Sequence, residues 1–385
     1  MAEKHILKLE KLPATVVGQT VNESSFDPSF LMDTNRVLHE FLIRFKNKIS
    51  PYYTNKKWDR YKKLSNEYEC VFMTPQAKNN VSCFTPISRS YFKMWEILND
   101  FKDDIKFIQD ADVPLNCLFL AEGPGGFLEA TMRKRNHKND RYYGFTLKPD
   151  HKSIPDWKLN SFTKRQLKQI SLLYGKDGTG NLYNLENIDY VAKQLDGNSM
   201  HLITADGGFD FSANFNNQEF QSFKLICCEI YCAFRLLKQD GSFIIKIYDM
   251  FNIYTLHIIT ILRKVFKYIY ITKPLTSRPA NSEKYFVCCQ FNVEAAKMYI
   301  TELKNLCNDV SCNFTTDEAT LNDIVMYNTF ATCRQVFYIQ KTIDTIEFIE
   351  NTTLQERNAM INKTIDSNKT ICAEWCKKYE IPFTL

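Results

Sequence analysis

A doubly wound α/β domain is the fold class that the sequence predicts, and two observations carry it. From about residue 88 onward, short apolar runs rich in β-branched and aromatic residues alternate with helix-patterned stretches. Within that alternation, LFLAEGPGGFLEA (Leu118–Ala130) passes from a strand-like run to a helix-like one through three glycines and a proline. Gly123, Gly125 and Gly126 permit sharp turns and close approach by a ligand, and Pro124 stiffens the bend. The stretch lacks the Gly-Lys-Ser/Thr of a phosphate loop and the full spacing of a dinucleotide loop.

The elements follow in order. Residues 1–30 read as an irregular arm, and Asp33 or Thr34 as the cap of a helix through NRVLHEFLIRFKNKI. Residues 51–70 set Tyr52, Tyr53, Trp58 and Tyr61 among five Lys and Arg residues. That mixture suits either base stacking with phosphate contacts or a solvated helix with aromatic anchors on its inner face. SRSYFKMWEIL is a helix, and residues 118–122, RYYGFTL and HLITADGG are strands. FQSFKLICCEIYCAFRLL is a long helix, stopped by Gly241 and followed by the strand SFIIKIYDMF. A helix (LHIITILRKVF) and the strands YIYITKP and EKYFVCCQF complete this region. Residues 295–385 are helical throughout, giving three units at 1–84, 85–294 and 295–385.

Bulk properties narrow the class. The chain of 385 residues has 49 basic and 44 acidic residues, a formal charge of +5. That permits an anionic partner without requiring one. Thirteen cysteines without paired Cys-x-x-Cys elements fit a reducing compartment better than a zinc site or disulfide framework. The N-terminus does not read as a secretory signal, and Arg263, Lys264 and Lys267 interrupt the longest apolar stretch, so no membrane span is expected.

Four polar residues stand out, and two of them have two readings. Lys246 lies among Phe243, Ile244, Ile245, Ile247 and Tyr248, a costly place for an ammonium unless it snorkels out or meets carboxylates in a site. Asp206 is either a turn aspartate or a ligand-facing one at a strand end. Glu283 and Lys93, taken alone, are an ordinary strand-edge carboxylate and a solvated lysine.

Together these residues resemble the FtsJ-like ribose 2'-O-methyltransferases, and within them the cap-specific messenger RNA enzymes, including relatives in large cytoplasmic DNA viruses. The likeness runs from about residue 85 to 291, and KPLTSRPANSEKYFVC is its most specific piece. It implies a Rossmann-like fold with a mostly parallel seven-stranded sheet plus N- and C-terminal helical additions. It implies a catalytic tetrad of Lys93, Asp206, Lys246 and Glu283, with Lys246 held between the two carboxylates. The implied cofactor is S-adenosyl-L-methionine, held by Glu122, Gly123, Pro124, Gly125, Gly126, Phe127, Thr146, Asn181 and Asp206, with Asp177 an alternative to Asn181. Thr146 stands where many relatives carry an acid for the cofactor ribose, and Asn181 replaces the usual aspartate near the adenine. A sulfonium carries its own leaving-group drive, so no metal is expected.

The implied partner is the capped 5' end of an mRNA, with other capping enzymes or an RNA polymerase as further candidates. Arg133, Lys134, Arg135, Lys138, Lys148 and Lys152 could hold phosphates, and Arg278 could brace the loop carrying Glu283. Localisation follows the source: cytoplasmic for a viral enzyme, nuclear for a cellular one. Competing expectations are a ribosomal or transfer RNA methyltransferase and a catalytically silent RNA-binding subunit.

Overall fold

The computed structural model describes residues 4, 6–11, 29–53, 55–148, 155–197, 199–208, 215–309 and 312–385. The N-terminal part holds β1 (Ile6–Glu10), α1 (Ser29–Asn47) and the short helices α2 (Ser50–Tyr53) and α3 (Lys57–Tyr61). The central part runs α4 (Ser90–Asp100), β2 (Asn116–Leu120), α5 (Gly126–Arg135), β3 (Arg141–Phe145), α6 (Lys164–Leu167), β4 (Ile170–Leu173) and α7 (Leu185–Gln194). It continues through β5 (Met200–Ala205), α8 (Gln218–Leu236), β6 (Leu237–Ile247), α9 (Ile253–Val265), β7 (Phe266–Thr272) and β8 (Lys284–Phe291). Helices α10 (Val293–Lys297), α11 (Ile300–Cys307), α12 (Glu318–Asn351) and α13 (Leu354–Lys378) close the chain.

One eight-stranded sheet runs in the order β1-β7-β8-β6-β5-β2-β3-β4. The pairs from β6 to β4 are parallel, whereas β8 is antiparallel to both β6 and β7, and β1 to β7. The seven-stranded expectation is therefore corrected by one strand, because part of the predicted N-terminal arm adds β1 at the edge. The antiparallel turn at β7–β8 has a simple cause. The connection from Lys273 to Glu283 is too short for the crossover a parallel strand needs.

Strand residues alternate between two cores. Leu118 and Leu120 of β2 face a core built with α7, α8 and α9, while Cys117 and Phe119 face one built with α4, α5 and α13. Burial on both faces explains why these strands read as continuous apolar runs. The terminal parts also join: α1 packs along α12, and Ile49, Trp58 and Tyr61 share a small core with Ile339, Ile343, Ile346 and Ile349.

Several expectations change in detail. Helix α1 begins before Asp33, and Thr34 Oγ1 donates back to the Phe30 carbonyl at 2.9 Å instead of capping. Helix α8 ends at Leu236, where Leu237 turns extended, so Gly241 lies inside β6. β4 and α7 were not anticipated; ISLL is only four residues long and only partly covered. None of the thirteen cysteines is in a disulfide, and no helix among the described residues is long and apolar enough to cross a membrane.

Candidate active site

The chain reverses its direction of travel across the sheet between β2 and β5, where α/β sheets open a crevice at their carboxyl ends. The glycine loop leaves β2 there. Ala121 has φ 51 and Gly125 has φ 111, the Gly123–Pro124 peptide is cis, and α5 begins at Gly126. Close approach at two of these glycines is by the chain itself. A Cβ on Gly123 would lie 2.1 Å from the Pro155 carbonyl oxygen, and one on Gly126 2.2 Å from Ser90 Oγ. The Gly126 contact locks the start of α5 against the start of α4, one helical turn before Lys93.

Glu122 follows the loop's first turn and is 5% exposed. Its Oε1 accepts from Thr204 Oγ1, while Oε2 has no hydrogen-bond partner. Burial pushes its pKa well above the ordinary carboxylate value, against the Thr204 hydrogen bond. Glu229 of α8 lies close by at 1% exposure, with Oε1 also unpartnered and its pKa also raised by burial. The Lys246 charge offsets only part of this burial for either group, and a buried carboxylate short of partners is costly, so the crevice suits a ligand that brings positive charge. S-adenosylmethionine, with its ammonium and sulfonium, is such a ligand.

Other predicted cofactor residues divide. Thr146 is buried just after β3, and the loop carrying Asn181 packs on it, for a Cβ on Gly180 would meet the Thr146 carbonyl oxygen at 1.9 Å. Asn181 Oδ1 accepts from the Tyr183 backbone. Asp177 accepts from Thr179 and Asn184, shaping its own turn. The Phe127 ring is fully buried beside Tyr285, with centroids 5.7 Å apart, so only its backbone can face a ligand.

All four tetrad residues converge, as two pairs. Lys246 Nζ lies 3.1 Å from Asp206 Oδ1 and donates to the Asp206 carbonyl at 2.7 Å. Lys93 Nζ reaches both oxygens of Glu283, at 2.7 and 2.8 Å. Lys246 is thus bonded to one carboxylate rather than clasped between two; Glu283 acts on it through space. Burial works against the Lys246 ammonium, but Asp206, Tyr248 and Glu283 raise its pKa above the ordinary lysine value. Burial also opposes the Glu283 charge, but Lys93, Lys246 and Lys273 hold its pKa below the usual range.

Three neighbours escaped the sequence reading. Tyr285 donates its hydroxyl to Asp206 Oδ1 at 2.9 Å. Lys273 donates to the backbone oxygens of Asn281 and Glu283 at 2.9 and 2.6 Å, fixing the loop that carries Glu283. Glu229 sits behind Gly207. Its one available signal was a lone carboxylate in the apolar helix LICCEIYCAF. Gly208 in turn keeps space over Lys246, for a Cβ there would lie 2.9 Å from Nζ.

Expected RNA contacts are partly overturned. Arg135 is buried and donates to Asp140 and to the carbonyls of Phe107, Ile108 and Val113, so it holds structure and not phosphate. Lys152 falls outside the described residues. Trp58 is buried in the core shared with α12, and Tyr52 donates to Glu347, which favours the aromatic-anchor reading. Arg278 does brace its loop, donating to Glu69 at 2.7 and 3.0 Å.

A mostly parallel Rossmann-like sheet, a glycine loop at its switch point and an electron-rich crevice define an S-adenosylmethionine-dependent methyltransferase fold. The profile described as FtsJ-like methyltransferase matches residues 86–291, and the chain belongs to that family. It is similar to cap-specific mRNA (nucleoside-2'-O-)-methyltransferase 1A of Caenorhabditis briggsae, 31% identical over 243 residues, 58% of this chain and 27% of the relative. It also resembles the inactive cap-specific enzyme 1B of that species, 30% identical over 246 residues, covering 58% and 28%. Cap-specific mRNA (nucleoside-2'-O-)-methyltransferase 1 of Bos taurus is 33% identical over 224 residues, covering 53% and 26%. The matches span only about a quarter of these curated relatives' length.

Proposed function

We propose that the protein is an mRNA cap 2'-O-methyltransferase, acting on the ribose 2'-hydroxyl of the first transcribed nucleotide. The observation that carries this reading is the convergence of Lys246–Asp206 and Lys93–Glu283 beside the glycine loop. Similarity to cap-specific relatives supports the choice of substrate.

S-adenosylmethionine, when bound, supplies a methyl group on a sulfonium. The loop Gly123–Gly126, Thr146 and Asn181 would hold it, and Glu122 would take its ammonium. Lys246 stays charged at neutral pH, because its pKa is raised. It is therefore a poor base and a good fixed cation. Its role is to aim a lone pair of the 2'-oxygen at the methyl group and steady negative charge on that oxygen. Asp206 and Tyr285 hold Lys246 in line, and Lys93 adds a second cation. The hydroxyl proton leaves to solvent as the C–O bond forms, when the oxygen has become strongly acidic.

The test is methyl transfer from labelled S-adenosylmethionine to short RNAs bearing a 7-methylguanosine cap or a 5'-triphosphate, with Lys246→Ala run alongside. Label on the first nucleotide's 2'-oxygen, only in capped RNA and only with Lys246 present, is expected. Equal labelling of uncapped RNA would move the substrate to ribosomal or transfer RNA. A silent RNA-binding subunit is the second reading, favoured by the likeness to the inactive relative. Cofactor binding without any transfer would support it.

A further inference from the structure

Away from the tetrad, a groove of about 690 Å³ runs between the C-terminal end of α5 and the segment 161–169. Arg133, Asn136 and His137 line one wall, and Thr163, Arg165 and Gln169 the other. Its surroundings are unusually basic. Segments 133–141 and 156–169 hold nine Lys and Arg residues against two Asp, a larger excess than the whole chain's +5.

Most of that charge has no internal use. Asp140 is taken by Arg135. Arg133, Lys138 and Arg141 on one side, and Lys158, Lys164, Arg165 and Lys168 on the other, are all exposed. None of these seven forms an ion pair among the described residues, although the Arg133 charge acts on Glu129, the one carboxylate in the groove's lining. Like charges held this close repel one another, and a polyanion laid between them relieves the repulsion. The Arg133 guanidinium also lies over Phe84, 4.0 Å from the ring centroid, and a guanidinium is a planar cation on which a base can stack. Hydroxyl and amide groups of Ser161, Thr163 and Asn136 complete a lining suited to sugars and phosphates.

We propose that this groove is a second RNA site, holding single-stranded transcript beyond the reacting nucleotide. This rests on the reading of RNA as substrate. α5 begins in the glycine loop and ends at the groove, and a helix of its ten residues is about 15 Å long. One strand could therefore reach both places along a single element. Phosphate contacts of this kind fix register without reading sequence, so any single strand of sufficient length is bound.

The test uses a fluorescent, uncapped single-stranded RNA of about 20 nucleotides, longer than the roughly 4–16 nucleotides that single-strand binding modules occupy, and the full chain in a salt titration. The triple variant Arg133→Gln, Lys164→Gln, Arg165→Gln should bind on the order of tenfold more weakly. Its log–log salt slope should fall by about 2, since each lost phosphate contact removes roughly 0.7. All three side chains are exposed, and a melting curve checks that the variant folds. Unchanged affinity and slope would overturn the site. So would intact RNA binding in the variant with loss of binding to a phosphoserine peptide, which would reassign the groove to a protein partner. No cap and no methyl transfer enter the readout, so the result stands apart from the fate of the cap-enzyme reading.

Discussion

Lys246 and Asp249 stand three residues apart around the end of β6, and each belongs to a buried lysine–aspartate pair. Lys246 meets Asp206 at 3.1 Å, and Asp249 meets Lys46 of α1 at 2.7 Å. The chemistry is the same; the access differs. The side chains of the Lys46 pair are 5% and 3% exposed, whereas those of the Lys246 pair are 9% and 15% exposed. Gly208 leaves the second pair open at the crevice, while α1 closes over the first. One pair fastens the N-terminal part to the central sheet, and the other opens on the crevice where the proposed function puts the substrate. An ion pair becomes a site when its surroundings leave one side uncovered.

The largest expected effect separates the pairs outright. Lys246→Met should slow methyl transfer by about 10²–10³, the usual loss when a group that stabilises a developing charge is removed. Urea unfolding should move by only about 1 kcal/mol, because Asp206 keeps Tyr285 and solvent. A variant that transfers methyl groups at the native rate would remove Lys246 from the chemistry.

Lys46→Met should do the reverse and cost about 3 kcal/mol of stability, since it removes the cation bonded to buried Asp249 and leaves the Lys284 charge to act on it alone. A urea midpoint unmoved by this change would mean that α1 is held mainly by its contacts with α12.

Next in size is an acid effect. Burial works against the Asp249 charge, but Lys46 and Lys284 depress its pKa to about 2. A carboxylate with a depressed folded pKa contributes stability above its unfolded value near 4, and that contribution is lost as pH falls toward 2. Asp249→Asn should therefore remove about 2 kcal/mol of the stability change between pH 5 and 2. An acid unfolding curve unchanged in the variant would place the relevant carboxylates elsewhere.

Tyr285→Phe sharpens the comparison from the other side. Losing one hydrogen bond to Asp206, about 1 kcal/mol, should slow single-turnover transfer roughly fivefold. A loss matching that of Lys246→Met would mean that Tyr285 meets the substrate directly.

The legible parts of the molecule are those with local signals. The strands around Phe119, Ile203 and Ile245 read from apolar runs, and the loop at Gly123–Gly126 from its composition. β1 was not legible, because an edge strand of five residues carries little pattern until β7 lies beside it. Lys273 looked like the end of a strand, and its bonds to Asn281 and Glu283 exist only once that loop folds back. Arg135 shared a basic run with Arg133, yet one is buried and the other lies on a groove.

By itself the sequence determined the alternating α/β order, the strand-ending positions of Asp206 and Lys246, and the family likeness that joins them to Lys93 and Glu283. Only the tertiary structure decided which lysine meets which carboxylate, which carboxylates stay unpaired, and which basic residues remain free for a ligand. The reason is range. Side-chain periodicity reports neighbours within a helical turn or across a pleat, whereas Lys93 and Glu283 are 190 residues apart in the chain and 2.7 Å apart in space.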